Sequence, residues 1–330
     1  MNHFEKEHEL YEFNKYVCNS SQVLEMLDEY GVAIIPNVLD EQECEDGIDD
    51  MWKYLEFLTS DSDFKILKDD HTTWRNITKL FPKHSMLLQH WGIGHSDFVW
   101  NIRQNPKVAD IFAEIYRVKK EELLVSFDGA SIHMPPEITK IGWNRNNTWY
   151  HSDQSFLRND FECIQGWINL FDTNEGDATL SFLEASHNFH EDFARISENN
   201  IKDDWYKLDK DELEFFKLNG CEEKKIKCPR GSLVLWDSRL IHCGTEPFKN
   251  REKENFRCVV YVCYQPRSNA DEKQLIKKRK AFEELRMTSH WPCKVKLFPK
   301  NPRTYGAELP KIKQINKPIL NELGLKLAGF

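Results

Sequence analysis

Cys163-Ile164-Gln165-Gly166-Trp167-Ile168-Asn169-Leu170-Phe171 alternates along its whole length. Cys163, Gln165, Trp167, Asn169 and Phe171 share one face, and Ile164, Gly166, Ile168 and Leu170 the other, which is the period of a β-strand. From about Leu123 the chain repeats this type of segment between turn residues. Leu123–Met134 reads as one strand stopped by Pro135-Pro136, Thr179–Leu183 as another, and Ser232–Trp236 and Phe256–Tyr264 as two more. Short apolar runs at such spacing predict an all-β core over 123–270. Before it, residues 1–122 read as a helical segment: Val23, Leu24, Met26 and Leu27 precede Gly31, Val32–Ile35 forms a short strand, and Asp40 opens a helix to about Leu58. Within the core the charged stretch 188–227 reads as a helical insert, either a lid or a surface excursion. Residues 271–330 form a C-terminal extension, and the whole reads as one structural domain, mainly β with flanking helices.

The chain has 330 residues, enough to bury a large core without disulfides. It has no apolar run long enough to cross a bilayer and no cationic, apolar leader, so a cytoplasmic protein with no membrane contact is expected. Nine cysteines, odd in number and without a CxxC pair, predict reduced thiols instead of a disulfide or zinc framework. The formal charge of −9 disfavours a long nucleic-acid contact. Residues 271–330 run against it, with 14 Lys and Arg and 6 Asp and Glu, and read as a solvated basic surface.

Just before the alternating strand stands Tyr150-His151-Ser152-Asp153. In an extended chain, residues i and i+2 project from one face about 7 Å apart, so His151 and Asp153 can close on one cation. His242 follows the apolar strand Leu233-Val234-Leu235-Trp236, from which it can reach the same point. Two His and one carboxylate on one face of an octahedron leave three positions open, the arrangement of non-haem Fe(II) oxygenases. An HxD triplet alone arises often by chance. Arg257, which opens a later strand, adds weight. 2-Oxoglutarate chelates a metal through its oxo-acid end and leaves a far carboxylate for a planar fork of donors. Two other classes use part of this set: a zinc hydrolase needs the triad but not Arg257, and a noncatalytic β-barrel binding module needs neither.

Beyond these residues, the chain resembles the phytanoyl-CoA dioxygenase family. The resemblance is carried by Glu29–Leu39, by Asp177–His187, which stands where members carry a Gly-Pro-Leu segment and a Pro-Gly-Ser-His turn, and by Arg230–Asp237 with His242. It implies a double-stranded β-helix (a cupin-like jelly roll), Fe(II) held by His151, Asp153 and His242, 2-oxoglutarate gripped by Arg257, and O2 as oxidant. It also implies a role beside the cosubstrate for His187 and for a residue of the strand Ser131–Met134, where His133 is the candidate. The implied reaction hydroxylates a substrate carbon and releases succinate and CO2. Asp153 argues against halogenation, which needs Gly or Ala there to free a halide position.

Thr245 is a candidate donor to the cosubstrate's far carboxylate. Arg145 and Gln154, beside the metal strand, and Trp167, on a mixed polar face, are candidates for binding a small-molecule substrate. The segment Thr288-Ser289-His290-Trp291-Pro292 lies outside the stretch that carries the resemblance.

Overall fold

The computed structural model describes residues 9–197 and 202–330. The start of the N-terminal segment, 1–8, and positions 198–201 of the insert lie outside the described residues.

Alternating side chains in the core strands need apolar cover on both faces, and two sheets meet that need. The first runs in the order Tyr11–Glu12 (β1), Glu223–Ile226 (β10), Thr179–Leu183 (β8), His242–Thr245 (β12), His151–Ser152 (β6), Tyr206–Lys207 (β9). The second runs Val32–Ile35 (β2), Leu233–Asp237 (β11), Ile164–Asn169 (β7), Arg257–Tyr261 (β13), Ala130–His133 (β5), Leu87–Leu88 (β3). A two-stranded ribbon, Leu123–Val125 (β4) with Tyr264–Pro266 (β14), completes the set. Nearly every pairing is antiparallel, the exception among the named strands being β1 with β10. This is a double-stranded β-helix with flanking helices.

The alternation divides the second sheet cleanly. Ile164, Ile168, Leu233, Leu235, Cys258 and Val260 pack outward against the helices, in one core with Met51, Leu55, Val108 and Phe112. Trp167, Val234, Trp236 and Val259 point inward against Leu180 and Phe182 of the first sheet. A one-residue slip in β7 would exchange these two sets and turn polar Gln165 and Asn169 onto the dry helical side. The long helix Glu41–Thr59 starts at a reciprocal cap, Asp40 accepting from the Glu43 backbone and Glu43 from that of Asp40.

Two expectations change. Leu123–Met134 is two strands in different sheets, not one, because Ser126–Gly129 turn between them and Gly129 lies so close to β3 that a Cβ would fall 1.8 Å from the Leu88 carbonyl oxygen. The stretch 188–227 holds the helices His190–Ile196 and Lys210–Leu218, but it also contains β9 and β10, and β10 pairs with β8. All nine cysteines are buried and free. Among the described residues no helix is long and apolar enough to cross a membrane.

Candidate active site

His151 and His242 are direct cross-strand neighbours in β6 and β12. Asp153 follows β6 by one residue, where its backbone N–H donates to the Ser238 carbonyl. The Nε2 atoms of His151 and His242 lie 3.6 Å and 3.4 Å from Asp153 Oδ2. Each imidazole donates its Nδ1–H to the backbone carbonyl two residues earlier in the chain, His151 to Trp149 at 3.1 Å and His242 to Leu240 at 2.9 Å. A carbonyl only accepts, so these bonds fix the tautomer and leave both Nε2 lone pairs facing the carboxylate. The three ligand atoms lie within 4.8 Å of one another, a donor set that fits one divalent ion. Burial holds His151 below its ordinary pKa, in the neutral form a metal requires.

The triad opens on a cavity of about 310 Å³ whose opposite wall includes Arg257. Arg257 is 5% exposed, donates from Nε to Ser131 Oγ at 3.3 Å and from Nη1 to the Ala178 carbonyl at 3.2 Å, and lies over the Trp167 ring. Among the described residues it has no carboxylate partner. A guanidinium buried this deeply without an anion is costly, and a dicarboxylate bound at the triad would supply the missing charge.

Of the other sequence candidates, Trp167 lines this cavity. Gln154 does not, because its amide is used internally: Nε2 donates to the carbonyls of Arg158 and Asp160, and Oε1 accepts from Ser238. His187 is buried against the helix Val23–Tyr30, its Nε2 bonded to the Asp28 carbonyl, away from the cavity. Thr245, His133 and Arg145 line a second cavity of about 1080 Å³, which shares Trp149 and Gly244 with the first. His133 is the cross-strand partner of Arg257, yet its ring turns to Gly142 in that second space.

Sequence reasoning missed Lys83, Asp128, Trp205, Tyr261, Ser289 and His290, all of which line the metal cavity. Tyr261 shares the parity of Arg257 in β13 and was readable from it. The rest come from loops and from the C-terminal extension, and only tertiary packing brings them in. The Trp149 ring stacks on His151 at 4.7 Å and on His84 at 3.7 Å, forming the partition between the two cavities.

Residues 27–247 match the phytanoyl-CoA dioxygenase (PhyH) family model. A relative from Aspergillus versicolor, Ava biosynthesis cluster protein O, is 29% identical over 211 residues, 62% of this chain; the aligned stretch spans 65% of that protein's length. In structure the chain is similar to the Escherichia coli hypothetical protein JW0805 (TM-score 0.60, 13% identity, 97% of this chain and 86% of that one). It is also similar to GlcNAc Inducible Gene 2 of Candida albicans (TM-score 0.53, 16% identity, 86% and 73%). Those two likenesses bear on the fold alone. The match over 27–247 covers well over half of the sequence, and the chain belongs to the phytanoyl-CoA dioxygenase family.

Proposed function

We propose that the chain hydroxylates a carbon of a small-molecule substrate, with His151, Asp153 and His242 holding iron(II) and Arg257 anchoring 2-oxoglutarate. The observation that carries this reading is one cavity lined both by a two-imidazole, one-carboxylate donor set and by a buried guanidinium that has no carboxylate partner among the described residues. When bound, iron(II) supplies the redox chemistry by which O2 and 2-oxoglutarate give succinate, CO2 and a hydroxylated product.

The protein's own part is binding and positioning. Nδ1–H donation to Trp149 and Leu240 keeps each Nε2 available, and Gln165 Nε2 donates to Asp153 Oδ2 at 3.1 Å, orienting the carboxylate. Ser131 Oγ and the Ala178 carbonyl fix the plane of the guanidinium, so its remaining N–H groups are preorganised for a carboxylate. Trp149, Trp205 and Trp236 line the cavity and limit access of water to it. The cavity's size, at the low end of the roughly 300–1,000 Å³ usual for small-molecule sites, favours a compact substrate over an acyl-CoA. Nine buried free thiols support a reducing compartment such as the cytoplasm.

Succinate release screened across small-molecule pools, with iron(II), 2-oxoglutarate and O2 omitted in turn, tests the proposal. Succinate that forms only when all three and a substrate are present is the expected result. Product formation that persists without 2-oxoglutarate would overturn it.

A further inference from the structure

The C-terminal extension reaches the reaction centre from outside the region that matches the family. After the helix Glu272–Glu283, residues 287–298 double back as a hairpin-like arm: Ser289 N–H donates to the Lys296 carbonyl, and Phe298 N–H to that of Met287. The arm is tied to the turn between β4 and β5. Thr288 N–H donates to the Phe127 carbonyl, and Phe127 N–H to Thr288 Oγ1. Buried Lys278 bridges the Val125 and Pro292 carbonyls. This anchoring presents Ser289, His290 and Trp291 as a wall of the metal cavity.

That wall is polar and unsatisfied. Ser289 Oγ, His290 Nε2 and Trp291 Nε1 are buried and without a hydrogen-bond partner among the described residues, as are Trp236 Nε1 beside the triad and Trp167 Nε1. Buried polar atoms are rarely left unpaired, and five on residues lining one cavity mark places a ligand fills. Indole N–H groups only donate, while a hydroxyl and an imidazole nitrogen can donate or accept, so an acceptor such as a carbonyl or hydroxyl oxygen is the partner type that suits all of them.

Charge and shape narrow the ligand further. Every carboxylate on the cavity wall is already engaged: Asp153 in the triad, Asp128 with Arg103 at 2.7 Å, and Asp204 with Arg158 at 2.6 Å. Lys83 has no carboxylate partner among the described residues, and its ammonium lies 4.8 Å over the Trp205 ring. Once a metal ion holds Asp153, a cationic ligand would meet no free anion here among the described residues. Indole rings from Trp205, Trp236 and Trp291, with Phe298, supply flat apolar surface.

We propose that Ser289 and His290 are the substrate-recognition residues of this enzyme, and that they hold an oxygen acceptor of an aromatic substrate that carries no positive charge between the indole faces. This rests on the oxygenase reading of the same cavity.

The test is equilibrium dialysis of the full chain, first metal-free and then loaded anaerobically with iron(II) and 2-oxoglutarate, against three probes. Indole-3-carboxamide is aromatic, neutral and acceptor-bearing, cyclohexanecarboxamide keeps the acceptor without the ring, and tryptamine keeps the ring but is cationic. The expected result in both forms is binding of indole-3-carboxamide about tenfold tighter than cyclohexanecarboxamide, and in the loaded form than tryptamine, with Ser289→Ala and His290→Ala each weakening both carboxamides about tenfold by removing about one hydrogen bond. The visible absorption band of the iron(II)–2-oxoglutarate complex should remain in both variants. Equal binding of the three probes, preference for tryptamine in the loaded form, or undiminished carboxamide binding in both variants would overturn the proposal; the wild-type comparison does so even should a variant fail to fold. Absence of the band in the wild type would instead count against the oxygenase reading, while the metal-free dialysis still decides the role of the wall.

Discussion

At the scale of single residues, the site depends on side chains whose other bonds are already satisfied. His151 and His242 each use Nδ1 on a carbonyl of their own segment, so only Nε2 remains to bind. This was legible because an extended HxD triplet turns both groups to one side whatever the tertiary context. Gln154, one residue beyond the triplet, looked equally available and is not, since its amide holds the Arg158–Asp160 loop and Ser238. Nothing local to the sequence distinguishes a free amide from one bonded in a loop. Arg257 gives the sharpest prediction at this scale. A hydrogen bond to a charged group contributes about 1.5–3 kcal/mol, so Arg257→Gln should raise the KM for 2-oxoglutarate at least about tenfold. Cosubstrate dependence of succinate formation measures this, and an unaltered KM would show that another residue anchors the far carboxylate.

At the scale of elements, buried charge ties helix to sheet. Arg103 ends the helix Asp97–Arg103 with no exposed surface, and its guanidinium donates to the Asp128 carboxylate and to the carbonyls of Gly94, Asp128 and Tyr261. It thereby joins that helix, the turn before β5 and the end of β13. Arg103→Met should destabilise the fold by about 3–5 kcal/mol, because it strands Asp128 in the interior. Chemical denaturation of the two proteins compares them directly, and a variant within about 1 kcal/mol of the wild type would show that the network contributes little. The same scale explains which strands could be read. β7, β11 and β13 carry strong apolar alternation and were found, whereas β10 is Glu-Lys-Lys-Ile and read as helix. Its Lys225 is buried through a salt bridge to Glu223 and its ammonium against the Phe248 ring, an arrangement that composition does not reveal.

At the scale of the whole molecule, burial makes folding sensitive to acid. Burial lowers the pKa of His84, His133 and His190 to about 4 and of His95 to about 3. In the unfolded chain these groups titrate near 6.5. Between the two values the unfolded state binds more protons, so stability is full above about pH 6.5 and falls as pH drops toward 4. The melting temperature of the metal-free protein should therefore decline between pH 7 and pH 5, a window above the range of ordinary carboxylates. A flat profile there would show that these histidines gain protons without unfolding. Also at this scale lies what the sequence concealed. The triad and Arg257 belong to the β-helix and follow from its strand pattern. The wall facing them is built from Lys83, Asp128 and the arm at Ser289–Trp291, segments remote from the triad in sequence and brought together by packing alone.

The central claim is that this cavity binds iron(II) and 2-oxoglutarate together, each needing the residues assigned to it. Anaerobic titration of the protein with 2-oxoglutarate, with and without iron(II), followed by visible absorption, tests it most directly. The prediction is a weak metal-to-ligand band that appears only with both present and is lost in Asp153→Ala. Failure to observe any iron-dependent 2-oxoglutarate binding by the wild-type protein, or an undiminished band in Asp153→Ala, would contradict it.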